Sequence, residues 1–149
     1  MRFMMMVKAT RDSEAGVMPS RTLFEAMGRY NEEMVKAGVL LAGEGLHPSS
    51  KGFRVRFSGG RRTFIDGPFS ETKELIAGFW LIQVKSKEEA MEWANRCPAP
   101  FEGPGECEIE IRQVFEASDF PSDAFTPELA AHEQALRDEI EAQTRKPKS

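Results

Sequence analysis

Asp66-Gly67-Pro68-Phe69-Ser70-Glu71-Thr72-Lys73-Glu74 gathers three carboxylates, a lysine, a tight bend and an apolar ring into nine residues. Upstream, Val55-Arg56-Phe57 and Thr63-Phe64-Ile65 alternate as the two strands of a β-hairpin that arrives at this bend. Downstream, Ile76-Ala77-Gly78-Phe79-Trp80-Leu81-Ile82 is a continuous apolar run, the pattern of a buried strand. Gly67 permits a positive φ, and Pro68 fixes its own φ and lacks a donor, so the stretch reads as one defined turn between two strands.

Working outward, the hairpin extends to Phe53-Arg54-Val55-Arg56-Phe57 and turns through Ser58-Gly59-Gly60. Before it, Val39-Leu40-Leu41-Ala42 reads as a strand that bends at Gly43-Glu44-Gly45-Leu46-His47-Pro48. Leu23, Met27, Tyr30 and Met34 recur at steps of four, three and four, the stripe of a helix capped at Ser20 and ending near Ala37 and Gly38. Arg11 to Ser20 reads as a polar loop. The run Phe3 to Val7 is a strand expected in the middle of a sheet.

After the central motif, Ser86 and Glu89 form a capping box that opens a helix with the stripe Ala90, Trp93, Ala94 and Cys97. Pro98 and Pro100 stop it, and Glu108 to Val114 alternates as a half-exposed strand. Ser118 to Ala124 is linker-like. Thr126-Pro127 then starts a helix with a thin stripe of Leu129, Leu136 and Ile140, which is expected to lie on a neighbour, and residues 145–149 are expected to fray. The domain expectation is therefore one α+β unit over residues 1–118, with a linker and helical extension over 119–149.

The element order is that of a ferredoxin-like βαββαβ unit with an inserted β-hairpin. Its two helices would cover one face of the sheet. A homodimer closing sheet on sheet is the expected remedy for the bare face.

The 149-residue chain can bury an adequate core, and 20 basic against 24 acidic side chains give a net charge of -4, which argues against direct nucleic-acid binding. Arg54, Arg56, Arg61 and Arg62 form a local basic patch, either a solvated face or a site for an anionic ligand or partner. Cys97 and Cys107 lack metal-ligand spacing, so free thiols and no metal are expected. No signal-peptide core or membrane-length apolar run stands out, which leads to the expectation of a cytoplasmic protein with no membrane association.

The segments Glu44-Gly45-Leu46, Asp66-Gly67-Pro68-Phe69, Glu71-Thr72-Lys73-Glu74, Ala77-Gly78-Phe79, Glu89 to Ala94, Arg96-Cys97-Pro98 and Glu110-Ile111-Arg112, in this order, resemble the DGPF branch of the YCII-related proteins. The resemblance spans roughly Phe3 to Phe120 and implies a dimeric α/β barrel with a cleft. Some proteins of that family are proposed to use a His-Asp pair, with the histidine near the start of the first helix. The matching place here is about Met27. The resemblance also implies a sigma-factor-related regulatory partner, since DGPF proteins are often encoded beside extracytoplasmic-function sigma factors.

Asp66 at a strand end can serve as a general base or ligand anchor, or simply accept the amides of its own turn. His47 could exchange a proton with Asp66, or stand exposed. Lys73 between Glu71 and Glu74 could face a cleft or join a solvated ion-pair cluster. Glu44, Asp66, Pro68, Phe69, Glu71 and Trp80 are the candidate ligand contacts; Phe69, Phe79 and Trp80 are otherwise core residues. Gly43-x-Gly45 is a poor phosphate cradle because Pro48, not a helix, follows. No cofactor is expected. Two function classes remain: a ligand-binding or regulatory dimer with a small-molecule cavity near the Asp66-Gly67-Pro68-Phe69 turn, or a small enzyme in which Asp66 works with His47 or Lys73.

Overall fold

A computed structural model describes residues 1–146. Strands β1 (Arg2–Lys8), β2 (Leu40–Gly45), β3 (Phe53–Ser58), β4 (Arg61–Asp66), β5 (Ile76–Gln83) and β6 (Ile109–Gln113) combine with helices α1 (Arg11–Glu14), α2 (Arg21–Lys36), α3 (Lys87–Arg96) and α4 (Pro127–Arg145). The architecture is mixed α+β with antiparallel sheets. One four-stranded sheet has the order β2-β5-β1-β6, and β3 pairs with β4 in a separate hairpin. The larger sheet is open, with β2 and β6 at its edges, so one chain does not form a closed barrel.

Alternation along β1 and β5 decides which face is the core. Phe3, Met5 and Val7 are buried on β1, and Trp80 and Ile82 on β5, alternating with half-buried residues up to the exposed Gln83 at the end of β5. On that face they meet Tyr30 and Met34 of α2 and Ala90 and Trp93 of α3. Met4, Met6, Phe79 and Leu81 point to the opposite face and are only half-buried.

Local chemistry accounts for the element ends. Ser20 caps α2 by accepting from the Leu23 amide at 3.2 Å, and Ser86 caps α3 by accepting from the Glu89 amide at 3.1 Å. Gly59 and Gly60, with φ of 57° and 76°, form the two-residue hairpin turn, a conformation open to glycine and costly for other residues. Two expectations need correction. The stretch beginning at Arg11 is not all loop, because Thr10 and Ser13 cap each other and start α1. The strand at Leu40 also does not bend away at Gly43: it stays paired with β5 as far as Gly45↔Gly78, and the Leu46 amide still donates to the Ala77 carbonyl at 2.8 Å.

The chain divides into two compact units, residues 1–114 and residues from Phe115 onward. The second contains α4, capped by Thr126, and a cluster in which Phe120 lies 4.8 Å from Phe115 and 5.3 Å from Phe125, ring centroid to centroid. Leu129, Leu136 and Ile140 on α4 are exposed. Arg145 closes α4, and the fraying expected of residues 147–149 lies outside the described residues. No helix among the described residues is long and apolar enough to cross a membrane.

The α2–α3 seam holds one buried titratable group, Tyr30, and one half-buried, Cys97. The Tyr30 hydroxyl donates to the Trp93 carbonyl at 2.6 Å, and burial, then the neighbouring Cys97, holds its pKa well above the ordinary value. Burial pushes the Cys97 thiol up to about 11, against a smaller opposing hydrogen bond from Tyr30. An acid whose pKa is raised on folding keeps its proton in the native state while the unfolded chain releases it, so stability falls as pH rises past the unfolded value. Urea midpoints should therefore decline between about pH 8.5, the ordinary thiol value, and pH 11. Cys97→Ala should flatten the first part of that decline, and a wild-type midpoint constant to pH 10.5 would contradict the assignment.

Candidate functional site

A serine ties the central motif to α1. Gly67 and Pro68 are joined by a cis peptide, and the Gly67 amide donates to the Gly52 carbonyl at 3.0 Å. Ser49 lies directly against the turn. Its hydroxyl accepts from the Phe69 amide at 3.0 Å and donates to one oxygen of Glu14, while its own amide donates to the other oxygen at 2.9 Å. Glu14 on α1 thus holds Ser49, and Ser49 holds the turn. Arg54 completes the arrangement by lying 3.8 Å over the Phe69 ring, a contact worth about 0.5–1 kcal/mol at an accessible site. Phe69 is accordingly half-buried beneath a guanidinium instead of being a core ring.

Gly67 has a different reason for being glycine than the turn chemistry suggested. Its φ is not positive. A Cβ at this position would fall 1.8 Å from the Ser49 carbonyl oxygen, a backbone atom that has no freedom to yield. The residue allows two backbone segments to touch.

Asp66, His47, Lys73, Glu71 and Glu74 are all exposed. Among the described residues, Asp66 takes no hydrogen bond from the amides of its turn and no ion pair from His47 or Lys73. Thr72, Lys73 and Glu74 form a short 3-10 turn, yet Lys73 makes no ion pair with Glu71 or Glu74. Pro68 is exposed at the bend. Among the described residues there is also no cluster of three or more histidine, cysteine or carboxylate side chains able to hold a metal ion.

A cavity of about 340 Å³ lies between α2 and the β2–β5 edge of the sheet. Leu23, Phe24, Met27 and Asn31 line it from α2, Gly43, Glu44 and Gly45 from β2, Ala77 to Trp80 from β5, and Pro19, Pro100 and Phe101 from loops. None of its lining residues comes from the Asp66 to Glu74 stretch, so this cavity is not at the turn where one was expected. Of the candidate contacts, Glu44 and Trp80 belong to it, and Met27 occupies its helical wall.

Trp80 organises the cavity. Its Nε1 donates to Asn31 Oδ1 at 2.8 Å, and its ring meets Tyr30 edge-on at 5.7 Å between centroids. An indole nitrogen only donates, so the Asn31 atom facing it is the oxygen, and the amide NH2 is left with two donors. Gly43, opposite Trp80 in the sheet, leaves room for the ring: a Cβ there would stand 3.0 Å from the indole Cδ1. Glu102 accepts from the Ser20 amide and hydroxyl at 2.9 and 2.8 Å, which holds the Phe101 loop against the start of α2. Those two bonds, the hydroxyl's first, keep the Glu102 pKa below its ordinary value.

Glu14, Ser49 and Asn31 were not identified from the sequence. Asn31 sits one turn from Met27 on the same helix, a spacing that could have placed it beside the apolar stripe. Ser49 carries no comparable signal, because its partners are 35 and 20 residues away.

Ser49→Ala should cost about 1–3 kcal/mol, since it strips the Phe69 amide and one Glu14 oxygen of their partner together. Gly67→Ala should cost more, because the added Cβ would strike the Ser49 carbonyl oxygen, a backbone atom that cannot yield. Urea titration would check both, and a Gly67→Ala variant as stable as wild type would mean that the two segments are not in contact.

Residues 1–118 match the family model described as the YCII-related domain. The chain is also similar to an uncharacterised protein of Rhizobium meliloti (strain 1021), with 33% identity over 96 residues, covering 64% of this chain and 77% of the relative. The match runs through both helices that cover the sheet, the hairpin and every strand described above, and the chain therefore belongs to the YCII-related family.

Proposed function

We propose that this protein is a small-molecule-binding homodimer of the DGPF branch, acting in regulation, and that its ligand occupies the cavity between α2 and the β2–β5 edge. The observation that carries the reading is the combination of an apolar wall with one directed polar group: Leu23, Phe24, Met27, Trp80 and Phe101 around an Asn31 amide whose oxygen is already taken. Such a site suits a small, uncharged, largely apolar molecule with one hydrogen-bond acceptor, such as a carbonyl or ether oxygen. Glu44 is the one ionisable residue on the wall, and it shares a sheet face with Phe79, away from the helices. The alternative, acid/base catalysis by Asp66 with His47 or Lys73, needs contacts that do not form among the described residues.

The fold reading that goes with this is a ferredoxin-like βαββαβ unit over residues 1–118 with an inserted hairpin, and residues 119–149 as linker and helical extension. The strand order β2-β5-β1-β6 supports it, as do two helices on one face. The second copy closes on the face bearing Met4, Met6, Phe79 and Leu81, giving a dimeric barrel. A sigma-factor-related partner, which the resemblance implies, would read whether the cavity is filled.

A thermal-shift screen of uncharged aromatic and aliphatic carbonyl compounds tests the proposal. A compound at about a hundred times its Kd should add roughly 2.7 kcal/mol to the native state. Met27→Trp, which fills the cavity, should remove every such shift while the variant stays folded. Shifts that persist in Met27→Trp, or a screen without any, would overturn the site.

A further inference from the structure

The hairpin has two unlike faces. Directly opposed residues of an antiparallel pair share a face, and the register gives Phe53↔Asp66, Val55↔Phe64 and Phe57↔Arg62. One face therefore carries Phe53, Val55, Phe57 and Phe64, with Arg62 at the turn end and Asp66 at the other. Phe53, Phe57 and Phe64 remain 61%, 68% and 68% exposed. Among the described residues, β3 and β4 pack extensively on no other helix or strand. A two-stranded hairpin is marginal by itself, and three uncovered rings on it call for a partner.

Arg62 and Asp66 also lack charged partners among the described residues. Arg62 lies 4.9 Å over the Phe57 ring and makes no ion pair, and Asp66 makes none either. A two-fold axis running across the strands through the Val55↔Phe64 row reverses the strand direction of a facing hairpin. It sets Arg62 of each copy against Asp66 of the other, Phe53 against Phe57, and Phe64 against itself. The apolar rows and the two charges are thus self-complementary under one operation.

We infer that the Phe53–Phe57–Phe64 face of the hairpin is an isologous contact between two copies of this chain, sealed at both ends by Arg62 paired with Asp66. This rests on the self-association proposed above and adds a second surface to it. Its size is consistent with a supplementary role: about two-thirds of three phenylalanine surfaces is about 400 Å² per copy, half of what a standard interface buries on each side. A single-stranded nucleic acid stacking on the rings fits less well. Arg54 and Arg56 lie on the reverse face, so only Arg62 would meet phosphate, and Asp66 would repel it.

Sedimentation equilibrium of the full chain tests the contact, with circular dichroism to check that each variant is folded. Arg62→Asp and Asp66→Arg each place like charges in contact twice, and each should weaken association roughly tenfold or more. The double variant Arg62→Asp/Asp66→Arg restores both pairs and should recover wild-type association. Phe64→Ser, which removes the ring on the axis without touching either charge, should weaken it as well.

Single swaps without effect would overturn the contact, as would a double variant no better than the singles. In either case a dimer lost in Met6→Arg would still uphold the sheet-face reading. A chain monomeric at every concentration would overturn both. Binding of a mixed-sequence single-stranded oligonucleotide that is lost in Phe64→Ser, with association unchanged, would assign the face to nucleic acid instead.

Discussion

Trp80 is the residue on which the geometry of the first unit depends. It has to bury an indole under α2, and it does so by meeting Tyr30 edge-on and donating to Asn31. The bond to Asn31 fixes the rotation of α2 over the sheet, and the ring demands a neighbour without a side chain across the ladder. Gly43 supplies that absence. Because Gly43, Gly45 and Gly78 add no bulk at the sheet edge, the space beside the ring stays unfilled, and the cavity is the result. Core, helix placement and cavity are consequences of one large amphipathic side chain and the residues that make room for it.

The DGPF turn does a separate job. It anchors the hairpin to the body of the domain through backbone contact and a serine shared between an amide and a carboxylate. A hydrogen bond to a charged group contributes about 1.5–3 kcal/mol, and the Gly67 contact adds shape to it. The hairpin is thereby carried on a stiff base while, among the described residues, its strands pack extensively on no other helix or strand. An arm so held presents its aromatic face in a defined direction, which is what a specific contact between copies requires.

Much of the local structure could be read in the chain. The hairpin followed from alternation around Gly59-Gly60, α2 from its apolar stripe and α3 from its Ser86 cap, because each of these signals arises within a few residues. The run Phe3 to Val7 was legible as a strand in the middle of the sheet, whereas its one-sided burial was not, because the run is apolar throughout. The site was less legible. Asp66, Lys73 and His47 stand out by residue type, yet the cavity wall comes from residues as far apart as Pro19 and Phe101, and the residue that orients it is Asn31, whose role arises from meeting an indole 49 positions away. Gly67 illustrates the same limit: a turn glycine and a contact glycine look identical until the opposing backbone is in place.

The sequence by itself therefore determined the α+β class, the YCII-related family and most of the strands and helices, since periodicity, caps and turn residues act over short distances. Only the tertiary structure decided that the DGPF turn is held by Ser49 and Glu14, that a cavity lies under α2, and that Arg62 and Asp66 share the aromatic face of the hairpin. Those outcomes depend on which distant segments come into contact and in what register. That is settled when side chains of particular size and polarity are packed together, and no short stretch of chain encodes it.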